Sequence, residues 1–156
     1  MNHMRRRTLK AGGGAGLLAL LAAAGFVRPS DVLAADWNKA AFEVKTTQEA
    51  LKALGVSSPA NSADIVIRAA DIAENGAVVP VGVESRIPGT QSISILIDKN
   101  PNSLAASFEI PAGTEPSVTT RVKMGQTSDV YALVKANDKF YVTKKEIKVT
   151  LGGCGG

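Results

Sequence analysis

From about residue 63 onward, apolar and polar residues alternate along the chain, which is the pattern of β-strands with one buried face. The clearest example is the run Ile93, Ile95 and Ile97, three isoleucines that share one face of a strand. The segments with this pattern cover residues 65–70, 79–83, 92–97, 104–110, 117–123, 130–135 and 140–151. No long helical pattern separates these segments, so a parallel α/β sheet is disfavoured. The pattern predicts an all-β fold, an immunoglobulin-like antiparallel β-sandwich over residues 63–151.

Turn residues refine this prediction. Asn75-Gly76 predicts a hairpin with a type I′ turn, and Asn137-Asp138 predicts a second turn between the last two strands. Residues 99–102 are predicted to form a loop that holds strand register, with contact to a partner as the alternative. Pro80 lies inside a strand pattern, which predicts an edge strand or a bulge there. An exposed edge would be open to a partner.

Residues 36–62 carry helical rather than strand periodicity and are predicted to form short N-terminal helices. One face recurs at helical spacing and consists of Trp37, Ala40, Ala41 and Val44. Thr46 and Glu49 have the spacing of a capping box, and Gly55 is placed to end the helix that follows. The aromatic side chains of Trp37 and Phe42 are predicted to pack onto the sheet.

Residues 1–35 have the composition of an export signal. An apolar run over about residues 15–27 follows the basic start, and small residues suit cleavage after Ala34 or Ala35. This run is shorter than the roughly 20 residues of a spanning helix, which disfavours the alternative of a membrane anchor. The start resembles the twin-arginine motif through four residues, namely Arg5, Arg6, Leu9 and Lys10. Met4 and Thr8 depart from that motif, so general secretion remains the alternative route to the periplasm.

The charge balance disfavours nucleic acid as a partner. The chain has 18 Lys and Arg residues against 14 Asp and Glu residues. Five of these cations and one of the anions lie in residues 1–35, so the remaining residues hold 13 of each sign. The basic character therefore belongs to the leader, and the rest of the chain lacks the clustered Lys and Arg that phosphate contacts require. After processing, we expect no nucleic-acid or membrane partner.

The distribution of reactive side chains disfavours a self-sufficient enzyme. The only histidine, His3, lies in the leader, which excludes Ser-His-Asp and Cys-His catalysis in the mature chain. The single cysteine, Cys154, can form neither an internal disulfide nor a multi-thiolate metal site. No carboxylate pair stands out by its spacing. We predict no cofactor, no metal and no catalytic residue, although a hydrolase that uses carboxylates alone stays open.

The chain ends in an arm in which four glycines surround one thiol: Gly152, Gly153, Cys154, Gly155 and Gly156. Glycine has the greatest backbone freedom and the smallest cross-section, so residues 152–156 are predicted to form a thin, flexible arm. The arm contains no cation that would lower the pKa of the thiol, so activation must come from a partner. The alternatives are a disordered tail with an incidental cysteine and a thiol that forms intermolecular disulfides. A ubiquitin-like terminal Gly-Gly is disfavoured by the leader.

The arm and two internal segments together resemble the SoxY family of sulfur carriers. The ending at residues 152–156 matches the family's carrier motif in full, and residues 72–81 and 98–108 are also similar. The resemblance implies a covalent sulfur carrier of the periplasmic Sox thiosulfate-oxidation system. It implies that intermediates are attached to Cys154 and that the neighbouring glycines act as hinge and spacer.

The same resemblance implies a set of partners. A SoxZ-like β-sandwich would form a heterodimer with the chain. A SoxAX-like haem enzyme would join thiosulfate to the cysteine, a SoxB-like hydrolase would release sulfate, and another enzyme would oxidise the remaining sulfane sulfur. The alternative function is a non-catalytic periplasmic interaction protein that forms intermolecular disulfides through Cys154.

Overall fold

The computed structural model describes residues 38–150. The predicted export signal (1–35), Trp37 and the predicted carrier arm (152–156) lie outside the described residues. Within the described range the elements are α1 Lys39–Glu43, α2 Thr47–Ala53, β1 Ala60–Asn61, β2 Ile65–Arg68, β3 Ile72–Ala73, β4 Val79–Ser85, β5 Thr90–Ile97, β6 Leu104–Glu109, β7 Ser117–Val122, β8 Ser128–Ala136 and β9 Lys139–Val149.

The strands form two sheets, which confirms the predicted all-β sandwich. The larger sheet has the order β1-β9-β8-β5-β6, with β3 also paired to β9, and the smaller sheet has the order β2-β4-β7. The long pairings are antiparallel, as predicted, whereas the two-residue strands β1 and β3 both run parallel to β9. Sheet pairing thus begins at Ala60, inside the segment predicted to be helical.

The main hydrophobic core lies between the two sheets. Its members are the residues that the alternation of apolar and polar positions in the sequence predicts to face inward. Ile93, Ile95 and Ile97 are 0% exposed, and Val79, Val81 and Val83 of the smaller sheet are at most 1% exposed. These six side chains belong to one buried cluster together with residues of β2, β7, β8 and β9. Burial of this apolar surface is the main stabilising contribution to the sandwich.

The two helices cover the other face of the larger sheet. Ala41 of α1 and Ala50 of α2 are fully buried in a second cluster with Leu96, Leu104 and Leu133. Strand β5 is consequently buried on both faces from Ile93 to Ile97, a stretch in which Ser94 is the one polar residue. Phe42 packs against this cluster as predicted.

Helix α2 has both of its predicted boundaries. The Thr46 hydroxyl accepts a hydrogen bond from the Glu49 amide, and the Glu49 carboxylate accepts one from the Thr46 amide, each at 3.2 Å. At the other end Gly55 has φ of 77°, a left-handed conformation that glycine adopts without steric cost.

The type I′ turn occurs at Asn137-Asp138 rather than at Asn75-Gly76. Asn137 and Asp138 have φ of 49° and 59° and join β8 to β9 as a two-residue hairpin loop. The prediction for Asn75-Gly76 was wrong, because Gly76 does not have a positive φ and this dipeptide lies between β3 and β4, which do not pair with each other.

The prediction of an edge strand or a bulge at Pro80 was also wrong. The pairing of β4 with β7 runs without a register shift from Val79 to Glu84. Strand β4 is the central strand of the smaller sheet, paired with β2 on one side and β7 on the other. Strand β2 ends opposite Gly82, whereas β7 continues past Arg121, which lies opposite Pro80. Pro80 therefore has a neighbouring strand only on the β7 side. On the other side no strand is paired with it, so the missing amide hydrogen of proline leaves no ladder hydrogen bond unmade there.

Candidate functional site

The described part of the site is the anchor of the predicted arm, at the end of β9. Strand β3 pairs with β9 in parallel, with Ile72 opposite Lys148 and Ala73 opposite Val149. The Lys148 amide donates a hydrogen bond to the Asp71 carbonyl at 2.9 Å, and the Thr150 amide donates one to the Ala73 carbonyl at 3.1 Å. The backbone is therefore held by hydrogen bonds as far as Thr150. We call residues 148–150 the arm root and residues 71–78 the collar.

A second loop holds the arm root from another direction. The Thr127 hydroxyl accepts a hydrogen bond from the Val149 amide at 3.0 Å. In the same loop, the Met124 amide donates to the Gly76 carbonyl of the collar at 2.7 Å. The collar and the loop at residues 123–127 are therefore bonded to each other as well as to β9.

Gly76 is the point of closest approach in this arrangement. A Cβ atom at Gly76 would lie 2.3 Å from the Met124 carbonyl oxygen and 2.8 Å from Cγ1 of Val149. Both distances are shorter than real Cβ contacts, and the carbonyl is backbone that cannot rotate away. Glycine is required here for close packing against the arm root, which is a different role from the turn role that the sequence predicted.

The collar exposes apolar side chains. The Asn75 side chain accepts a hydrogen bond from the Ala77 amide at 2.9 Å, and the Val78 amide donates to the Asn75 carbonyl at 3.3 Å. This Asx-type turn precedes β4. Ile72 is 56% exposed and Val78 is 48% exposed, and they are the only large hydrophobic residues of the described range that are this open. Both belong to the collar.

The loop at residues 98–103 is tied to its neighbours through asparagine side chains. Asn100 Nδ2 donates to the Lys123 carbonyl at 2.7 Å, and Asn102 Nδ2 donates to the Phe42 carbonyl at 2.6 Å. The Lys99 amide donates to the Ser128 hydroxyl at 3.0 Å. These bonds support the predicted role in holding register. The bond to Lys123 also links this loop to the loop at residues 123–127, which we call the Met124 loop.

One ion pair lies beside the arm root. Lys145 Nζ is 2.9 Å from Oδ1 of Asp71 and donates to the Ala69 carbonyl at 2.6 Å. The hydrogen bond and charge of Lys145 lower the pKa of the Asp71 carboxyl, and the charge of Lys148 adds to this effect. Asp71 is 85% exposed, so this pair contributes little to stability at ordinary pH.

The predicted site residues themselves fall outside the described range. These are Cys154 with Gly152, Gly153, Gly155 and Gly156, and the export residues Arg5, Arg6, Leu9 and Lys10. Cys154 lies four positions after Thr150 in the sequence, which limits its backbone reach to about 14 Å from the arm root. Within residues 38–150, no group of three or more His, Cys, Asp or Glu residues could hold a metal ion. In the same range no helix is long and apolar enough to cross a membrane.

Sequence reasoning missed the collar and Thr127. The only sequence signal for the collar is its overlap with residues 72–81, which resemble the carrier family. An exposed Ile72 or Val78 cannot be distinguished from a core residue by periodicity, because both sit next to strand patterns. The contact of Thr127 with Val149 joins residues 22 positions apart, and no local pattern encodes it.

The fold and the anchored strand define a class of protein: a two-sheet β-sandwich whose last strand leads into a glycine-rich segment with one thiol. The family described as sulfur oxidation protein SoxY matches residues 50–154, a range that includes the collar, the arm root and Cys154. The chain belongs to the SoxY family. Membership of this family supports a role in thiosulfate oxidation.

A solved structure agrees with this assignment. The sulfur carrier protein SoxY from Chlorobium limicola f thiosulfatophilum is 39% identical, with a TM-score of 0.61, and the match covers 67% of this chain and 96% of that one. An engineered protein matches at 15% identity and a TM-score of 0.38, over 62% of this chain and 21% of that chain, and is too distant to support an argument. A comparison with curated proteins gives no match.

Proposed function

We propose that the chain is a periplasmic sulfur carrier that binds thiosulfate-derived intermediates covalently on Cys154. The observation that carries the proposal is the arm root. Hydrogen bonds to Ala73 and Thr127 hold β9 as far as Thr150, and the only thiol of the chain follows four residues later among glycines. Family membership and the similarity to a solved sulfur carrier support the same function.

The first step is an oxidative coupling. The Cys154 thiolate and the terminal sulfur of thiosulfate form an S–S bond, which gives Cys–S–S–SO₃⁻ and releases two electrons. A SoxAX-like haem enzyme accepts these electrons. An ordinary cysteine has a pKa of about 8.5 and is mostly protonated at neutral pH, and the arm offers no cation to change this. The partner's pocket therefore has to promote loss of the thiol proton.

The second step is a hydrolysis. Water attacks the sulfone sulfur, the bond between this sulfur and the sulfane sulfur breaks, and sulfate leaves with two protons. The product on the carrier is a persulfide, Cys–S–S⁻, which a further enzyme oxidises or receives. A SoxB-like hydrolase catalyses the release. The carrier supplies no general acid or base in this scheme, only a tethered sulfur atom.

The chain's own contribution is to hold and present the thiol. The collar and the Met124 loop fix the arm root, and the glycines at 152, 153, 155 and 156 keep the arm narrow enough to enter a channel. A SoxZ-like sandwich forms a heterodimer with the chain. Export through the twin-arginine motif at Arg5 and Arg6 delivers the protein to the periplasm, where these partners act.

Substitution of the thiol tests the proposal. In a reconstituted thiosulfate-oxidising system, Cys154→Ser is expected to abolish thiosulfate-dependent electron transfer. The matched control is the pair Gly153→Cys and Cys154→Gly, which keeps one thiol but moves it one residue closer to the arm root. We expect this variant to load with small reagents and to turn over more slowly with enzymes. Full activity of Cys154→Ser would refute the carrier function.

A further inference from the structure

The hydrogen-bond ladder between β8 and β9 stops before the arm root. Strand β8 begins at Ser128, which lies opposite Ile147, and the residues of β9 after Ile147 have no partner in β8. Backbone amides of a strand point alternately to its two sides, so the next β9 amide on the β8 side is that of Val149. It donates to the Thr127 hydroxyl at 3.0 Å. A side chain therefore takes the place of the missing carbonyl of β8.

Backbone carbonyls bind the opposite edge of the arm root. The Lys148 amide donates to the Asp71 carbonyl and the Thr150 amide donates to the Ala73 carbonyl, both in the collar. These two bonds do not involve any side chain of the collar. Of the three bonds that fix the arm root, the bond to Thr127 is thus the one that a single side-chain substitution removes directly.

The place where β9 ceases to be held determines how far the thiol can move. With Thr150 held, Cys154 lies at most about 14 Å away along the backbone. Ile147 is fully buried and paired with β8, and it lies seven positions before Cys154. If the arm root separated from both of its neighbours, the reach measured from Ile147 would be about 24 Å. The cube of the ratio of these two lengths is about five, so release of the arm root would enlarge the accessible volume about fivefold.

We infer that Thr127 is a positioning residue for the carrier thiol. Its hydroxyl holds the β8 side of the arm root while the collar holds the other side, and a strand bonded on both edges opens less often than one bonded on a single edge. Cys154 is thereby confined to the shorter reach. A partner enzyme then removes less conformational freedom when it receives the arm, which favours productive binding. The effect on turnover rests on the proposed carrier function, whereas the effect on the strand does not.

Three substitutions isolate the Thr127 hydroxyl. Thr127→Val keeps the β-branched shape and removes the acceptor, whereas Thr127→Ser keeps the acceptor and removes the methyl group. Thr127→Ala removes the acceptor without placing a second methyl group against the Val149 amide, and it provides the test if the valine variant does not fold. The matched control is Thr143→Val, the same exchange at a half-buried threonine of β9 whose backbone is paired with Ala132 of β8.

Amide hydrogen exchange in the processed protein measures the opening of the arm root. The informative amide is that of Thr150, because it is bonded to Ala73 and not to Thr127. We expect Thr127→Val to accelerate its exchange about fivefold, the factor that corresponds to one net hydrogen bond. Thr127→Ser and Thr143→Val are expected to exchange at nearly the wild-type rate. A melting temperature within a few degrees of the wild type shows that the sandwich is retained.

Turnover shows whether this hold positions the thiol. In the reconstituted thiosulfate-oxidising system, the KM for the Thr127→Val carrier is expected to rise about two- to fivefold with kcat unchanged, because the added freedom is lost on binding. Tetrathionate loads the thiol without any enzyme, since the Cys154 thiolate displaces one thiosulfate and becomes Cys–S–S–SO₃⁻. The rate constant of this reaction should not change, because the thiol itself is unaltered. Thr127→Ser should behave as wild type in both assays.

Each contrary outcome overturns a separate part of this account. Wild-type exchange at Thr150 in both Thr127→Val and Thr127→Ala would show that the hydroxyl does not hold the arm root. Faster exchange with an unchanged KM would refute the positioning role and leave the carrier function intact. Equal effects of Thr127→Ser and Thr127→Val would assign the hold to packing and refute the role of the hydroxyl. If the wild-type chain does not load at Cys154, the carrier function is refuted, whereas the exchange result still stands.

Discussion

The two ends of β9 are built differently. At its start, a two-residue hairpin exposes charged side chains, with Lys135 Nζ 3.5 Å from Oδ1 of Asp138. At its end, the collar and the Met124 loop hold the strand through hydrogen bonds, and Ile72 and Val78 are open to solvent. The hairpin end closes through a local two-residue turn, to which residues 88 and 91 add bonds: Asn137 Nδ2 donates to the Pro88 carbonyl at 2.9 Å, and the Asp138 amide donates to Oε1 of Gln91 at 3.3 Å. At the arm end, the bonds to Ala73 and Thr127 that hold the strand join segments distant in the sequence.

The largest difference between the two ends should appear when Gly76 is changed. Gly76→Ala would place a methyl group 2.3 Å from the Met124 carbonyl oxygen, so the collar or the loop must move. We expect the free energy of unfolding to fall by about 2 kcal/mol, which is typical of an overpacked site. Urea unfolding followed by circular dichroism measures this value.

Gly125→Ala is the matched control for this prediction. Gly125 lies in the same loop as Met124 and does not have a positive φ, and a Cβ atom added to it would have no neighbouring atom within 4 Å. Its substitution is expected to change stability by less than about 0.5 kcal/mol. Equal effects of the two substitutions would show that the collar does not pack closely against β9.

At the hairpin end, Asp138→Gly should have a smaller and opposite effect. Asp138 has φ of 59°, and glycine is the preferred residue at the second position of a type I′ turn. We expect stability to increase by about 0.5 kcal/mol, because relief of backbone strain slightly exceeds the entropy cost of glycine. The loss of the exposed ion pair with Lys135 changes the stability only slightly.

Asp138→Ala separates backbone strain from charge. Alanine removes the carboxylate as glycine does, yet it keeps a Cβ atom in a left-handed conformation. The alanine variant is therefore expected to be less stable than wild type, as measured by thermal unfolding. A glycine variant that is no more stable than the alanine variant would contradict the assignment of strain to this turn.

The smallest expected effect is on the pH dependence of stability, through the ion pair of Asp71 and Lys145 at the arm end. Lys145 lowers the pKa of the folded Asp71 carboxyl below its unfolded value. The stabilisation from this pair is therefore present above the unfolded pKa and is lost as the pH falls through the folded pKa. Asp71→Asn should make the loss of stability between about pH 7 and about pH 3 smaller than in wild type.

Removal of the other partner checks this assignment. Lys145→Met deletes the cation and should reduce the acid-dependent loss by a similar amount, and the double variant should show no further reduction. Urea unfolding at several pH values provides the data. An acid-dependent loss that is the same in all four proteins would exclude a contribution from this ion pair.

The sequence predicted the long strands because their period-two alternation reflects one buried face. Ile93, Ile95 and Ile97 are fully buried as expected, and Thr46 and Glu49 cap α2 because a capping box acts within one turn. The fold class, both cap signals and the turn at Asn137-Asp138 therefore followed from local chemistry.

Features that depend on tertiary contacts were not predictable. Asn75-Gly76 has the composition of a type I′ turn, but Gly76 is needed for its approach to Met124 and Val149. Strand β3 has only two residues and forms through its pairing with β9. Pro80 is tolerated in a central strand because β2 ends before reaching it, and the length of a neighbouring strand is not encoded near Pro80.

The measurement that tests the central claim most directly is the intact mass of the processed protein after incubation with tetrathionate. The carrier function predicts one added thiosulfate group per chain, located on the peptide that contains Cys154 and removed by a thiol reductant. The Cys154→Ser variant should gain no mass. Disulfide-linked dimers without any added sulfur group, or an adduct on a different peptide, would contradict the account.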